Sequence, residues 1–158
     1  MAPASVQRVL DAAATAGVEL DIVEYPDGTR TAVDAAAAVG CEVGQIVKSL
    51  VFDLDGELIL ALTSGSNRVD ADLLAAVAGG SVCGRADVDR VRDTTGFAIG
   101  GVPPFGHAST IRAFVDPALE TYDRIWAAAG TPRHVFPIQP ETLRSLSNAT
   151  SANFTEGV

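Results

Sequence analysis

The run Gln45-Ile46-Val47-Lys48-Ser49-Leu50-Val51-Phe52 places an ammonium inside an apolar stretch, and it is the chain's only lysine; the other ten cationic side chains are all arginine. If the run is a strand, Lys48 shares a face with Leu50 and Phe52 while Val47, Ser49 and Val51 take the other. An unpaired ammonium is costly to bury, so Lys48 either snorkels to solvent from the strand end or is presented into a cleft. The strand alone favours a surface lysine. The use of arginine everywhere else argues that a compact, rotatable point charge is wanted at this position.

A second candidate is Gly96-Phe97-Ala98-Ile99-Gly100-Gly101-Val102-Pro103-Pro104-Phe105-Gly106-His107. Adjacent glycines let the backbone approach a ligand or take positive φ, and the two prolines stiffen the rest of the loop. Such a loop can aim backbone N–H groups at a carbonyl or an anion, or be no more than a rigid turn. His107 and His134, the only imidazoles, each come after a Gly- and Pro-rich turn, which leaves site and structural roles both open. Ser49, Ser64, Ser66 and Asn67 are polar residues that can line a cleft. There is no G-x-S-x-G elbow and no Ser/Cys/His spacing of a nucleophilic triad. Cys41 and Cys83 are far apart and, with the two histidines, show no short metal-binding spacing, so they read as reduced, largely buried thiols with no metal.

Periodicity predicts the elements that must carry these groups. Ser5 to Ala16 has helical spacing that stops at Gly17, and Val18 to Tyr25 reads as a strand ended by Pro26. Thr31 is placed to cap a second, alanine-rich helix with Asp34 at N3, running to Gly40. Ile46 to Leu54 and Glu57 to Thr63 are β-type runs joined by Asp55-Gly56, a tight-hairpin signal. Asp70 can cap a helix over Ala71 to Ala78, and a further helix is expected around Asp87 to Arg92. Strands are expected at Gly96 to Ile99, Thr110 to Val115, Arg124 to Ala128 and His134 to Ile138. A last helix starts at Pro140 and Glu141, and the tail after Ser147 reads as frayed. Helices interspersed among about seven short strands, several in hairpins, predict an α/β (α+β) fold: a mixed, largely antiparallel, barrel-like sheet with helices packed outside. A Rossmann fold is excluded by the lack of regular βαβ alternation and of any G-x-G-x-x-G or Walker motif.

The 158 residues fit a single domain, 1–158, with 47% hydrophobic residues sufficient for a core. A net charge of −9 argues against a broad basic face and against DNA as a partner. The sequence has neither an apolar run of membrane-spanning length nor a signal-peptide pattern, so a cytoplasmic protein with no membrane partner is expected.

Taken in order, Thr31-Ala32-Val33-Asp34-Ala35-Ala36, QIVKSLVF, Ser66-Asn67-Arg68-Val69-Asp70, TGFAIGGVPPFGH and Ala129-Gly130-Thr131-Pro132 resemble the YbaK family, relatives of the editing domain inserted in bacterial prolyl-tRNA synthetases. The resemblance covers about residues 5 to 147, and its most specific parts are the lysine of QIVKSL and the loop Gly100 to Pro104. It implies an aminoacyl-tRNA deacylase acting in trans on the ester at the tRNA 3′-terminal adenosine. The acceptor end would be its partner, with prolyl-tRNA synthetase as a further one, and no cofactor is implied. Cys or Ala on tRNA(Pro) is the expected substrate, with a non-catalytic module for aminoacyl groups, nucleotides or a synthetase as the alternative. The resemblance makes Lys48 the catalytic residue and places Gly100, Gly101, Val102 and Pro104 around the aminoacyl group. Thr31, Ser66 and Asn67 are then candidate substrate contacts, and His134 matches a discriminating position near the C-terminal glycine turn. Pro103 departs from the family pattern, where many relatives have a small polar residue.

Overall fold

A computed structural model describes residues 3–25 and 31–156; Pro26, expected to end the first strand, lies outside them. Three of the five α-helices among the described residues start at side-chain caps. Helix α1 (Ala4–Thr15) buries Val6, Val9 and Ala13. At the start of α2 (Ala32–Val39), Thr31 Oγ1 accepts the Asp34 N–H at 3.1 Å, and Gly40 closes the helix at φ 78°. Asp70 caps α3 (Ala71–Ala78) and Asp87 caps α4 (Val88–Thr95); α5 (Pro140–Ser147) starts with proline in its first turn.

Eight strands form two sheets among the described residues: β1 (Val23–Glu24), β2 (Val47–Leu54), β3 (Glu57–Ser64), β4 (Cys83–Arg85), β5 (Arg112–Val115), β6 (Ile125–Ala128), β7 (His134–Ile138) and β8 (Thr150–Ser151). One sheet runs β1-β7-β6 and is antiparallel; the other runs β4-β2-β3-β5-β8, antiparallel up to β3 and parallel beyond it. The β2–β3 hairpin turns through Asp55 (φ 50°) and Gly56 (φ 95°), and two positive-φ residues give the twist that suits a two-residue turn. β3 is buried on both faces. Leu58, Leu60 and Leu62 face a core shared with Val9, Phe97 and Phe136, while Ile59 and Ala61 face Leu74, Phe114 and Phe154. The mixed, largely antiparallel α/β class is as expected.

Several local expectations need correction. Of Val18 to Tyr25 only Val23–Glu24 pairs; Leu20 and Ile22 pack on the core from an unpaired segment. Gly96 to Ile99 is no strand, because Gly96 (φ 83°) ends α4 and turns the chain so that Phe97 enters the core. The tail is not frayed: β8 pairs with β5, Phe154 is fully buried, and Thr155 bridges to Val69. Cys83–Arg85 is a strand that the sequence does not predict, since its three residues, one a glycine, carry no periodic signal. Cys41 and Cys83 are free thiols, half-buried rather than largely buried.

Candidate active site

The cleft exists because β2 loses its partners on one side. β4 pairs with β2 only at Phe52–Leu54, and β6 meets it only through a parallel bridge between Ile46 and Trp126. From Val47 to Val51 that edge has no strand partner among the described residues, and a cavity of about 880 Å³ opens there. Its walls are β2, the facing residues Trp126 to Ala128 of β6, Thr31 and Val33 at the start of α2, and Ile99, Gly100 and Val102 of the glycine loop. The lining is mostly apolar, with Thr31, Lys48, Ser49, Arg85 and the Trp126 indole as its polar side chains. A mostly apolar concavity with few polar groups is the usual form of a small-ligand site. A second cavity, of about 720 Å³ beside β5, is less suited to a charged ligand, since Arg90 is tied to Asp53 and Arg112 to Glu57.

Lys48 is half-buried in this cleft, opposite Thr63 on β3. The residues around it alternate as the sequence predicts: Val47 and Val51 pack into the larger core, Phe52 against the α3 side. The Lys48 Nζ donates to the Asn67 backbone carbonyl at 2.5 Å and makes no carboxylate contact among the described residues. Burial holds its pKa below the ordinary lysine value, the nearby Arg68 guanidinium adds to this, and Asp116 opposes it. An ammonium held by a single carbonyl keeps donors for an incoming oxygen anion.

The glycine loop is positioned by close packing. A Cβ on Gly101 would stand 2.8 Å from Thr131 Cα and 3.0 Å from Gly130 O, so only glycine lets the loop sit against that turn. The Gly101 N–H is already used, donating to Ala98 O at 3.1 Å, so it is not a free donor for a developing oxyanion. Gly100 and Val102, not Gly101, line the cleft. Pro104 is buried behind the loop, and His107 Nε2 is bonded to the Pro103 carbonyl at 2.8 Å. Burial lowers the His107 pKa, so the ring serves the loop as a neutral partner.

Of the other candidates, Thr31 lines the cleft, and Asn67 reaches it through the carbonyl that holds Lys48. Ser66 does not line it; its hydroxyl lies 3.1 Å from Ser64 Oγ, which donates to Gly44 O. His134 does not line it either. Its Nδ1 lies 2.6 Å from Thr131 Oγ1 and its Nε2 3.6 Å from Glu24, while the next residue, Val135, faces the cavity. Sequence reasoning missed Arg85 and Trp126: both sit in short strands with no motif around them, and only long-range pairing brings them to the site, Arg85 opposite Phe52 of β2 and Trp126 through its bridge to Ile46. Among the described residues no group of three His, Cys, Asp or Glu side chains is arranged to hold a metal, and no helix is long and apolar enough to cross a membrane.

Comparison with known proteins places this architecture. The aminoacyl-tRNA editing domain family matches residues 26–146. A crystal structure of a candidate trans-editing enzyme for prolyl tRNA synthetase is 46% identical, with a TM-score of 0.93 over 99% of this chain and 100% of that one. The protein YwhH of Bacillus subtilis (strain 168) is 28% identical over 82% of each chain. A candidate Cys-tRNA(Pro)/Cys-tRNA(Cys) deacylase, EbsC of Enterococcus faecalis, is 27% identical over 79% of this chain and 77% of its own. The proline–tRNA ligase of Lysinibacillus sphaericus is 29% identical, but the match spans only 22% of its length. The fold is that of an aminoacyl-tRNA editing domain. This chain belongs to the aminoacyl-tRNA editing domain family, the YbaK-like class that its motifs resemble.

Proposed function

We propose that the protein hydrolyses mischarged aminoacyl-tRNA in trans, removing a small amino acid, Cys or Ala, from tRNA(Pro) at the 3′-terminal adenosine. The observation that carries this reading is the half-buried Lys48 ammonium, bonded to one carbonyl, in the wall of a cleft of about 880 Å³. In the reaction, water adds to the ester carbonyl and the carbonyl–ribose C–O bond breaks, giving the free amino acid and a ribose hydroxyl. Lys48 would pair with the terminal phosphate and with the negative charge that develops on the carbonyl oxygen. With no nucleophilic side chain set up by a base among the described lining residues, a water or the tRNA's own ribose hydroxyl would serve in the attack, and the Gly100–Val102 segment would hold the aminoacyl group for it.

Two features support tRNA ends as the ligand. Arg68 and Arg85 add positive charge beside Lys48 in a chain of net charge −9, which suits a few acceptor-end phosphates rather than a long duplex. EbsC and the solved relative, which this chain covers over most of their length, carry descriptions of the same chemistry. The match to a segment of proline–tRNA ligase makes that synthetase the expected source of the error and a candidate partner. The work would be done in the cytoplasm, where tRNA is charged.

The test is a panel of tRNAs mischarged with small amino acids, incubated with the protein and with Lys48→Ala. Hydrolysis of Cys- or Ala-tRNA(Pro) by the parent alone supports the proposal. A parent that binds the charged acceptor end but hydrolyses nothing would leave a binding module instead.

A further inference from the structure

The Lys48 partner is a backbone carbonyl in the turn after β3, so the placing of the ammonium depends on what holds that turn. One residue does much of this from a distance in sequence. Asp116, just past β5 and only 2% exposed, accepts the Asn67 Nδ2 at 2.9 Å and the Ser64 N–H at 3.1 Å, both on Oδ2. Its Oδ1 accepts the Ala118 N–H at 2.9 Å, which caps the 3-10 turn Pro117–Thr121. This buried carboxylate has no ion-pair partner in contact among the described residues; three N–H groups donate to it, and the more distant Lys48 charge favours it as well. The cap needs Oδ1 alone. Oδ2 is taken up by Ser64 and Asn67, the residues that bracket the turn.

The rest of the turn is fixed to match. The Gly65 N–H donates to Ile46 O at 2.7 Å, the Asn67 N–H to Ser64 O at 3.0 Å, and a Cβ on Gly65 would meet Val43 O at 2.4 Å. The backbone therefore has one way to run, and Asp116 sets the side-chain end of it.

We propose that Asp116 is a positioning residue for the editing reaction: through Asn67 it fixes the carbonyl that holds the Lys48 ammonium in the cleft. Its catalytic consequence rests on the deacylase reading; the positioning itself does not. Among the described residues the charged groups acting on Lys48 are Arg68 from the same turn, which lowers its pKa, and Asp116, which raises it; Arg85 of β4 lines the same cleft.

Because the chain has one lysine, a lysine side-chain ¹³C label gives a single signal that reports Lys48 alone. Titrating it in the parent, Asp116→Asn and Asn67→Ala, with melting curves as folding controls, reads the positioning directly. In Asp116→Asn the titration midpoint should move further down, since the carboxylate's charge and the anchor are both lost. In Asn67→Ala it should move the same way by less, because the carboxylate stays. In both variants kcat at neutral pH should fall roughly tenfold or more with a smaller change in KM. Should Asp116→Asn fail to fold, Asn67→Ala carries the test. Folded variants whose Lys48 signal and midpoint match the parent's would overturn the proposal, as would unchanged kcat in an active enzyme. A parent inactive on every mischarged tRNA would instead sink the deacylase reading, leaving the titration to decide the positioning.

Discussion

Gly101 and Thr131 touch backbone to backbone: a methyl group on Gly101 would lie 2.8 Å from Thr131 Cα. The glycine pair of the loop thus divides its work. Gly101 seats the loop on the turn at Gly130, and Gly100, at φ 96° with open space around it, faces the cleft. Gly101→Ala should therefore destabilise by about 1–3 kcal/mol through overpacking and displace the Gly100–Val102 segment, with a loss of kcat/KM beyond the loss of stability. Gly100→Ala meets no atom and should cost only the strain of a left-handed alanine, about 1 kcal/mol. Melting temperatures of the two variants check this; equal values would show that the close approach is relieved cheaply.

The depressed Lys48 pKa makes a prediction about pH. Burial and Arg68 disfavour the ammonium, so it loses its proton at a lower pH than an ordinary lysine, and activity that needs the charge falls on the alkaline side accordingly. The profile of kcat/KM should show a descending limb whose midpoint lies below the ordinary lysine value of about 10.4. A profile flat through that region would mean that the reaction does not use the Lys48 charge.

Much of this site is legible in the sequence, and the parts that are not have a common cause. Caps and tight turns are local, so Thr31, Asp70 and Asp55-Gly56 can be read directly, and with them the strand that carries Lys48. The cleft is not local. It depends on β6 bridging to Ile46, just before β2, through Trp126 and forming no ladder along β2 itself, a pairing that no run of residues announces. The same holds for Asp116, which no sequence motif singles out and which caps the turn after β5 while anchoring another turn nearly fifty residues away. His134 shows the converse: a suggestive residue type whose ring is taken up by Thr131 and Glu24. The tail reads as frayed because a polar composition hides one residue, Phe154, that is wholly buried.

Thr31 has two duties, cap and cleft wall, and they can be separated. Its Oγ1 accepts the Asp34 N–H, and Thr31→Ala removes that bond at a cost of about 1 kcal/mol to the fold. Thr31→Ser keeps the cap but removes a methyl from the lining. Thermal melts should show a loss in the alanine variant only. A change of KM in both variants would show that the methyl contacts substrate, whereas a change in the alanine variant alone would trace to the helix start.

Phe154 anchors the tail in the smaller core, with Leu74, Ile59 and Phe114 as neighbours, and the Asp70 N–H that opens α3 donates to its carbonyl at 2.8 Å. Phe154→Ala should cost about 3–5 kcal/mol, the usual penalty for emptying a buried aromatic site. Denaturant unfolding that left the variant within about 1 kcal/mol of the parent, close to the roughly ±0.5 kcal/mol scale of surface changes, would show the tail to be dispensable.

Lys48→Arg tests whether charge alone suffices. Arginine keeps the positive charge, but its planar fork is larger and donates in fixed directions, whereas the single acceptor at Asn67 suits a compact ammonium that can turn its remaining donors to the substrate. The variant should fold as the parent does and lose about 100-fold or more in kcat, the scale of removing one well-aimed donor to a developing oxyanion. Its residual activity carries a second signature. A guanidinium does not lose its proton in this range, so the alkaline limb assigned to Lys48 should vanish from the profile of Lys48→Arg. A limb that stays in place would assign the titration to another group, and an arginine variant as active as the parent would reduce Lys48 to a generic positive charge in the cleft.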